Sequence, residues 1–412
     1  MKILIPGHAT LALAALALAA PAGAQTLAIV HAKAWTMTAP DPVPDATILI
    51  ESGRIISVTA AGAVPPDATV IDAAGKPVTP GLINAATQLG LVEVSAASAT
   101  RDDRSLAHSL SAGFDVSAAL NGNSVLVALA RADGLTGALS FPSKSEVPPF
   151  GGQGSLIRLR AGSDILDRAN VALFVTIGGG AWDKEAGSRA VQWQLLRAAL
   201  DGVRAKKPPT ALGAQDSAVL SRLLAGEIPL AINTDRESDI RQAAKFAAEE
   251  RIRVVIVGGA EAWRATEVLA AAHIAVVLDP ESNLPNSFDE LGNRLDAAAI
   301  LDRAGVTVAF GLSGGAIELS YNAGLALRQG AGLAVANGLP YYRALQAITV
   351  NPRAIWGGGS ATLEPGKAAD IVIWDGDPLE PSTNARSVII DGVQVSTDNR
   401  PRALTERYRD AR

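Results

Sequence analysis

Apolar and polar positions along the chain fall into three regimes. From Thr26 to Thr79, short apolar runs alternate with turn residues. Thr47–Ile50 and Ile55–Val58 flank Glu51-Ser52-Gly53-Arg54, which predicts a hairpin with glycine in its turn. Asp72-Ala-Ala-Gly75-Lys-Pro77 predicts another turn, leading into Pro80-Gly81. Such alternation makes a small sheet with one buried face. The rhythm then lengthens. Gly134–Phe141 and Val171–Ile177 are strand candidates, and Ile228–Asn233, Val254–Val257, Ile274–Leu278 and Val306–Phe310 follow. Helix-period stretches at Asp239–Glu250 and Trp263–Ala272 separate three of these. Strand–helix alternation predicts parallel strands with right-handed crossovers, and fully apolar runs such as Val254–Val257 suit strands covered on both faces. A closed βα barrel and an open doubly wound sheet both satisfy this pattern. A last helix over Ala347–Trp356, which Pro352 cannot continue without losing a bond and Gly357-Gly358-Gly359 then ends, gives way to short strands again, including a hairpin around Asp391-Gly392.

Composition narrows the picture. A chain of 412 residues with 48% hydrophobic residues fits a 200–250-residue barrel plus a smaller unit. The net charge of −5 and the absence of a Lys/Arg-rich run argue against a nucleic-acid partner. Residues 1–24 read as a secretory signal. Lys2 supplies the positive start, Leu11–Ala20 the apolar stretch and Ala22-Gly23-Ala24 the cleavage site. That apolar run is short for a membrane span, so the expectation is export across the inner membrane, into the periplasm of a Gram-negative cell, with no membrane attachment after cleavage. The absence of cysteine agrees with an oxidising destination.

Val78-Thr-Pro-Gly-Leu-Ile-Asn-Ala-Ala-Thr-Gln-Leu-Gly90 resembles the first barrel strand of the amidohydrolase superfamily, which usually reads Pro-Gly-Leu-Ile-Asp-Ala-His-Thr-His-Leu-Gly. Leu363-Glu-Pro-Gly-Lys-Ala-Ala-Asp370-Ile-Val-Ile-Trp374-Asp-Gly-Asp377-Pro378 resembles its closing signature, and Ala347–Trp356 its final barrel helix. Phe150-Gly-Gly-Gln-Gly-Ser155 is similar to a Gly-Gln-Gly-Ala loop of the secreted imidazolonepropionase-like members. Glycines there allow close backbone approach, so Gly151–Gly154 reads either as a ligand-facing loop or as a plain surface turn. The resemblance implies an α/β fold: a (β/α)8 TIM-like barrel over residues 80–358 and a small β-sandwich from residues 25–79 and 359–398. A polar tail, residues 399–412, follows.

It also implies hydrolysis of non-peptide carbon–nitrogen bonds by a divalent metal such as zinc. A His-x-His pair on one strand face can grip such an ion, because residues two apart point the same way. Here Ala86 and Gln88 stand at those two positions. Asn233 takes the position of the strand-five histidine, Gly258 that of the strand-six histidine, and Ser313 that of the strand-eight aspartate, which serves as ligand and general base. No lysine lies in Val171–Ile177 to bridge two metals. The expectation is therefore no metal cofactor.

The other groups offer little to rebuild a site. His31, His108 and His273 share no ligand spacing and read as surface or turn residues. Glu93, Asp235 and Glu261 follow strand ends on the expected active face. Asp235 reads as an N-cap of the following helix, while Glu261 reads equally as cap or working group. Ser313 has neither a Gly-x-Ser-x-Gly elbow nor a histidine partner. Gln88, Asn233, Asp235, Glu261 and Ser313 are the candidate substrate-binding residues for a small amide-like ligand. Three readings stand side by side: a family hydrolase, a non-catalytic ligand binder or partner subunit of an intact paralogue (as a homo- or hetero-oligomer), and a metal-free hydrolase using Glu261 or Asp235.

Overall fold

The computed structural model describes residues 26–107, 110–143, 145, 147–179, 187–285, 287–312 and 323–409. Residues 1–24, expected to be a secretory signal, and His108 and Ser313 lie outside them. No helix of the described residues is long and apolar enough to cross a membrane.

Two eight-stranded sheets organise the chain. The first begins with β1 (Leu27–Ala34), β2 (Val43–Glu51), β3 (Arg54–Ala60), β4 (Thr69–Asp72) and β5 (Pro77–Pro80). The second holds β6 (Leu82–Thr87), β7 (Leu135–Ser140), β8 (Phe150–Arg158), β9 (Leu166–Thr176), β10 (Leu230–Thr234), β11 (Val254–Gly258), β12 (Ala275–Leu278) and β13 (Val308–Phe310), in that spatial order. β14 (Ile371–Trp374), β15 (Ala385–Ile390) and β16 (Val393–Val395) return to the first sheet, where β14 pairs antiparallel with β5. The terminal segments thus form one small β unit and the middle forms the barrel. This is a TIM-like barrel with a small β-sandwich, the fold class expected.

Alternation explains how the small unit serves two masters. Ile371, Ile373 and Ile389 point into its own core with Ile29, Ile48 and Ile55. Val372, Trp374, Val388 and Ile390 point the other way, into the barrel's main core. A strand buried on both faces must be apolar throughout, and Ile-Val-Ile-Trp is. Gly81 is the joint between the units. Its N–H donates to the Asp370 carbonyl at 2.9 Å, and a Cβ there would stand 2.0 Å from Thr136 Oγ1, so only glycine lets the chain cross so closely. A charged cluster reinforces the joint: nearly buried Arg158 meets Asp391 and lies 3.3 Å from Asp370, while Arg353 reaches Asp167 at 3.0 Å.

Seven of the barrel strands run parallel, and β8 runs against both neighbours. The Gly151–Gly154 run is therefore neither a ligand-facing loop nor a surface turn. It is part of a strand whose every residue is buried. Its glycines make room for neighbours. A Cβ at Gly154 would stand 2.6 Å from the Phe174 ring, and one at Gly152 would stand 2.8 Å from the Phe114 carbonyl oxygen. Because an antiparallel strand needs no crossover helix, the outside of β8 is covered by the excursion after β6. Fully buried Asp216 clamps that excursion, accepting from Ser111 N at 2.9 Å, Gly113 N at 2.7 Å and Gly213 N at 2.8 Å.

The lumen is hydrocarbon. Phe141 and Phe174 stack at 4.5 Å, Trp356 lies 5.7 Å from Phe174, and Ala86, Ala231, Val255, Val257, Val277 and Ala309 complete the cluster. β13 meets β6 through the Asn84 side chain, whose Oδ1 accepts from Leu312 N at 3.1 Å. Two helix expectations need correction. Trp263–Ala272 is a short 3-10 turn, Ala262–Arg264, then the helix Thr266–Ala271. Ala347–Trp356 is divided between Tyr341–Ala347 and Val350–Ile355. Pro352 sits in the first turn of the latter, where its missing N–H removes no helical bond, so it does not end the helix.

Replacing Gly154 with valine drives methyl groups into the Phe141–Phe174 stack. Urea denaturation should show a loss of about 1–3 kcal/mol; an unchanged midpoint would show that the lumen has room to spare.

Candidate functional site

Barrels of this kind carry their sites on the loops at the carboxyl ends of the strands. At that end β10, β11 and β12 run out into Asn233-Thr234-Asp235, Gly258-Gly259-Ala260 and Leu278-Asp279-Pro280. Together with Ser282 and residues 290–298 they line a cavity of about 300 Å³. Asn233, Asp235, Gly258, Asp279, Glu290 and Asn293 line its polar side; Leu278, Leu295 and Ala298 line an apolar wall.

Gly258 sets the geometry. Its φ of +89° suits glycine, and a Cβ there would stand 2.6 Å from Asp235 Oδ1 and 3.4 Å from Asn233 Oδ1. The carboxylate of Asp235 thus takes the volume that a side chain at 258 would fill. Asp235 Oδ1 accepts from Ala260 N at 3.2 Å. Burial pushes the Asp235 carboxyl up to about 6, and the negative charges of Glu290 and Asp289 add to the rise. Asp279 Oδ1 accepts from Glu281 N at 3.0 Å, and burial likewise raises its carboxyl above the usual range.

Of the two carboxylates, Glu261 and not Asp235 serves the helix N-terminus. Asp235 does not cap the helix Glu237–Glu250, whose N-cap is Arg236. Glu261 reaches across instead: its Oε2 accepts from Glu237 N at 2.9 Å, and its other oxygen pairs with Arg264 at 3.3 Å. A carboxylate at a helix N-terminus is favoured wherever in the chain it comes from.

Of the five positions that the family resemblance singles out, the structure brings Asn233 and Gly258 to the cavity. Ala86 is buried in the lumen cluster, pressed by Gly311, where a Cβ would stand 2.9 Å from Ala86 N. Gln88 is buried at the turn after β6, its carbonyl accepting from Leu91 N and Val92 N, and does not line the cavity. Ser313 is outside the described residues. Glu93 fastens its own loop, accepting from Asn121 Nδ2 at 3.0 Å and Ser124 Oγ at 2.8 Å. His31 is exposed with Nδ1 2.9 Å from Asp45, and that hydrogen bond raises its pKa. His273 is exposed at the opposite end of the barrel. Asp279 and Glu290 were missed, although Asp279 carries the signal that found Asp235: a carboxylate directly after an apolar strand.

This donor set does not suit a zinc-like ion. Ala86 and Gly258 carry no side-chain donor atom, and Gln88 and Asn233 offer only amide groups. Among the described residues, no group of three or more His, Cys, Asp or Glu could hold a metal ion.

Comparison with known proteins places the fold. The sequence model of the amidohydrolase family matches residues 268–396. An amidohydrolase from Thermotoga maritima MSB8 is similar in structure at a TM-score of 0.80 and 24% identity, covering 90% of this chain and 99% of that one. A molinate hydrolase is similar at a TM-score of 0.55 and 16% identity, over 91% of this chain and 95% of the other. N-isopropylammelide isopropylaminohydrolase from Burkholderia multivorans ATCC 17616 gives 0.51 and 18%, over 90% and 98%. No curated protein matches the sequence.

The raised carboxyl makes a testable demand on stability. Asp235 binds its proton more tightly folded than unfolded, so its contribution is present below about pH 4 and is lost as pH rises through about 6. Asp235→Asn keeps the acceptor for Ala260 N and removes the buried charge. It should raise stability by about 2 kcal/mol at pH 7.5 and leave it nearly unchanged at pH 4. Equal effects at the two pH values, read by urea melts, would contradict the burial of this charge.

Proposed function

We propose that this chain is an amidohydrolase-superfamily protein whose metal-dependent chemistry has been lost, and that its carboxyl-face cavity binds a small polar ligand. The observation that carries the reading is Gly258, the strand-six position. It has no side chain, and the room for one is taken by Asp235. A zinc-like ion needs about three protein ligands of suitable type, and the positions for them hold alanine, glycine and neutral amides. The amidohydrolase likeness concerns the scaffold, while activity depends on the site grafted onto it. The Gly-Gln-Gly run supports an imidazolonepropionase-like origin within the superfamily, and the leader pattern of residues 1–24 supports export.

The test is metal content and activity of the chain without its leader. Purified after growth with zinc, manganese and iron, it should carry a substoichiometric amount of each, and added zinc should leave its melting temperature unmoved. Stoichiometric metal, with chelator-sensitive hydrolysis of cyclic amides or dipeptides, would restore the hydrolase reading.

A further inference from the structure

At the amino end of the barrel, two helices return to the sheet through very short turns. Glu237–Glu250 ends at Arg251, whose left-handed φ of +58° swings the chain into β11 at Val254. Thr266–Ala271 ends through His273, with φ of +51°, ahead of β12 at Ala275. Turns this short lay little chain across the strand starts. Val254, Val255 and Ala275 are left to wall a cavity of about 370 Å³ with Ile252, Ile274 and Ile355, and no carboxylate lines it. A second cavity, of about 180 Å³, adjoins the first, since Pro229 and Arg253 line both. Its walls are cationic. Arg168, Arg222 and Arg253 face one carboxylate, Glu227, and that one pairs with Arg222 at 3.2 Å. Among the described residues, Arg168 and Arg253 form no ion pair. Backbone carbonyls hold them instead: Arg168 Nη1 donates to Gly357, and Arg253 Nη2 donates to Gly226 at 3.2 Å and Glu227 at 3.3 Å. Each guanidinium thus keeps Nε and its other terminal nitrogen for a further acceptor. The carbonyl ends of the helices at this face carry only partial negative charge, so two whole cationic charges prevail. An apolar hollow beside unneutralised guanidinium groups fits a ligand with a carbon body at one end and an anionic head at the other.

We infer that the amino end of the barrel binds a small amphipathic organic anion of the alkyl carboxylate class, with its head on Arg253 and Arg168 and its chain along Ile252, Val254, Ile274 and Ile355. This site lies across the barrel from the carboxyl-face cavity and is independent of what that cavity holds. Three probes separate charge from carbon body: octanoate, octylammonium and acetate, each titrated into the full chain by calorimetry at pH 7.5. Octanoate should bind, and the other two about tenfold or more weakly. Arg253→Gln should weaken octanoate by about tenfold or more, and Arg168→Gln by less, because Arg168 lines only the smaller cavity. Ala354→Phe sets a ring in the larger cavity from an exposed helix position and should also weaken octanoate. Thermal melts check that each variant is folded. The inference is overturned if octylammonium or acetate binds as well as octanoate, if folded Arg253→Gln or Ala354→Phe binds octanoate undiminished, or if none of the three probes binds.

Discussion

A closed barrel has a lumen that side chains must fill, and here the filling is aromatic. Gly154 gives Phe174 the space to reach the axis, Phe141 stacks on it, and Trp356 closes the lumen with its Nε1 donating to the Ala85 carbonyl at 2.8 Å. A stacked pair of this kind adds about 0.5–1.5 kcal/mol beyond burial, and its greater effect is to exclude other occupants. Alanines at 86, 172, 231 and 309 are the complement of these rings. Alanine at position 86 is thus part of a packing arrangement that extends across the lumen.

The rim is governed by electrostatics of the opposite kind. The loops after β9 and β12 are tied by Asp289, which accepts from Gly179 N at 2.8 Å and pairs with Arg189, and Arg189 in turn holds Asp239 at 2.7 Å. Those carboxylates have partners. Asp235 and Asp279 form no ion pair among the described residues, and burial raises both carboxyls. Such unmatched groups lower stability where they stand, a familiar tension between a stable scaffold and a working site.

Much of the scaffold was legible in the sequence because burial on two faces leaves a plain mark. Val254–Val257 and Ile371–Trp374 are apolar at every position, and both are inner strands. β8 was not legible, because its glycines imitate a loop. The cause is tertiary, since rings from β9 and the segment after β7 occupy the space its side chains would have. Which of Asp235 and Glu261 caps the helix was hidden for a related reason. Both follow a strand end and precede a helix, and only the fold shows that Glu261 caps the neighbouring helix. Asn233 and Gly258 line the cavity, while Gln88 is held at the turn before Leu91–Val92.

The joint at Gly81 has a consequence in time. β5 enters the barrel directly through this residue, yet its sheet partner β14 lies beyond the whole barrel in sequence. On a ribosome, the first half of the small sheet emerges early and waits, with an edge unpaired, until the last strands are made. The reversed strand β8 works in the other direction, since β7, β8 and β9 form a meander whose pairings with one another are local and close quickly. The same chain therefore contains a part that can fold as it appears and a part that can be finished only at the end of synthesis.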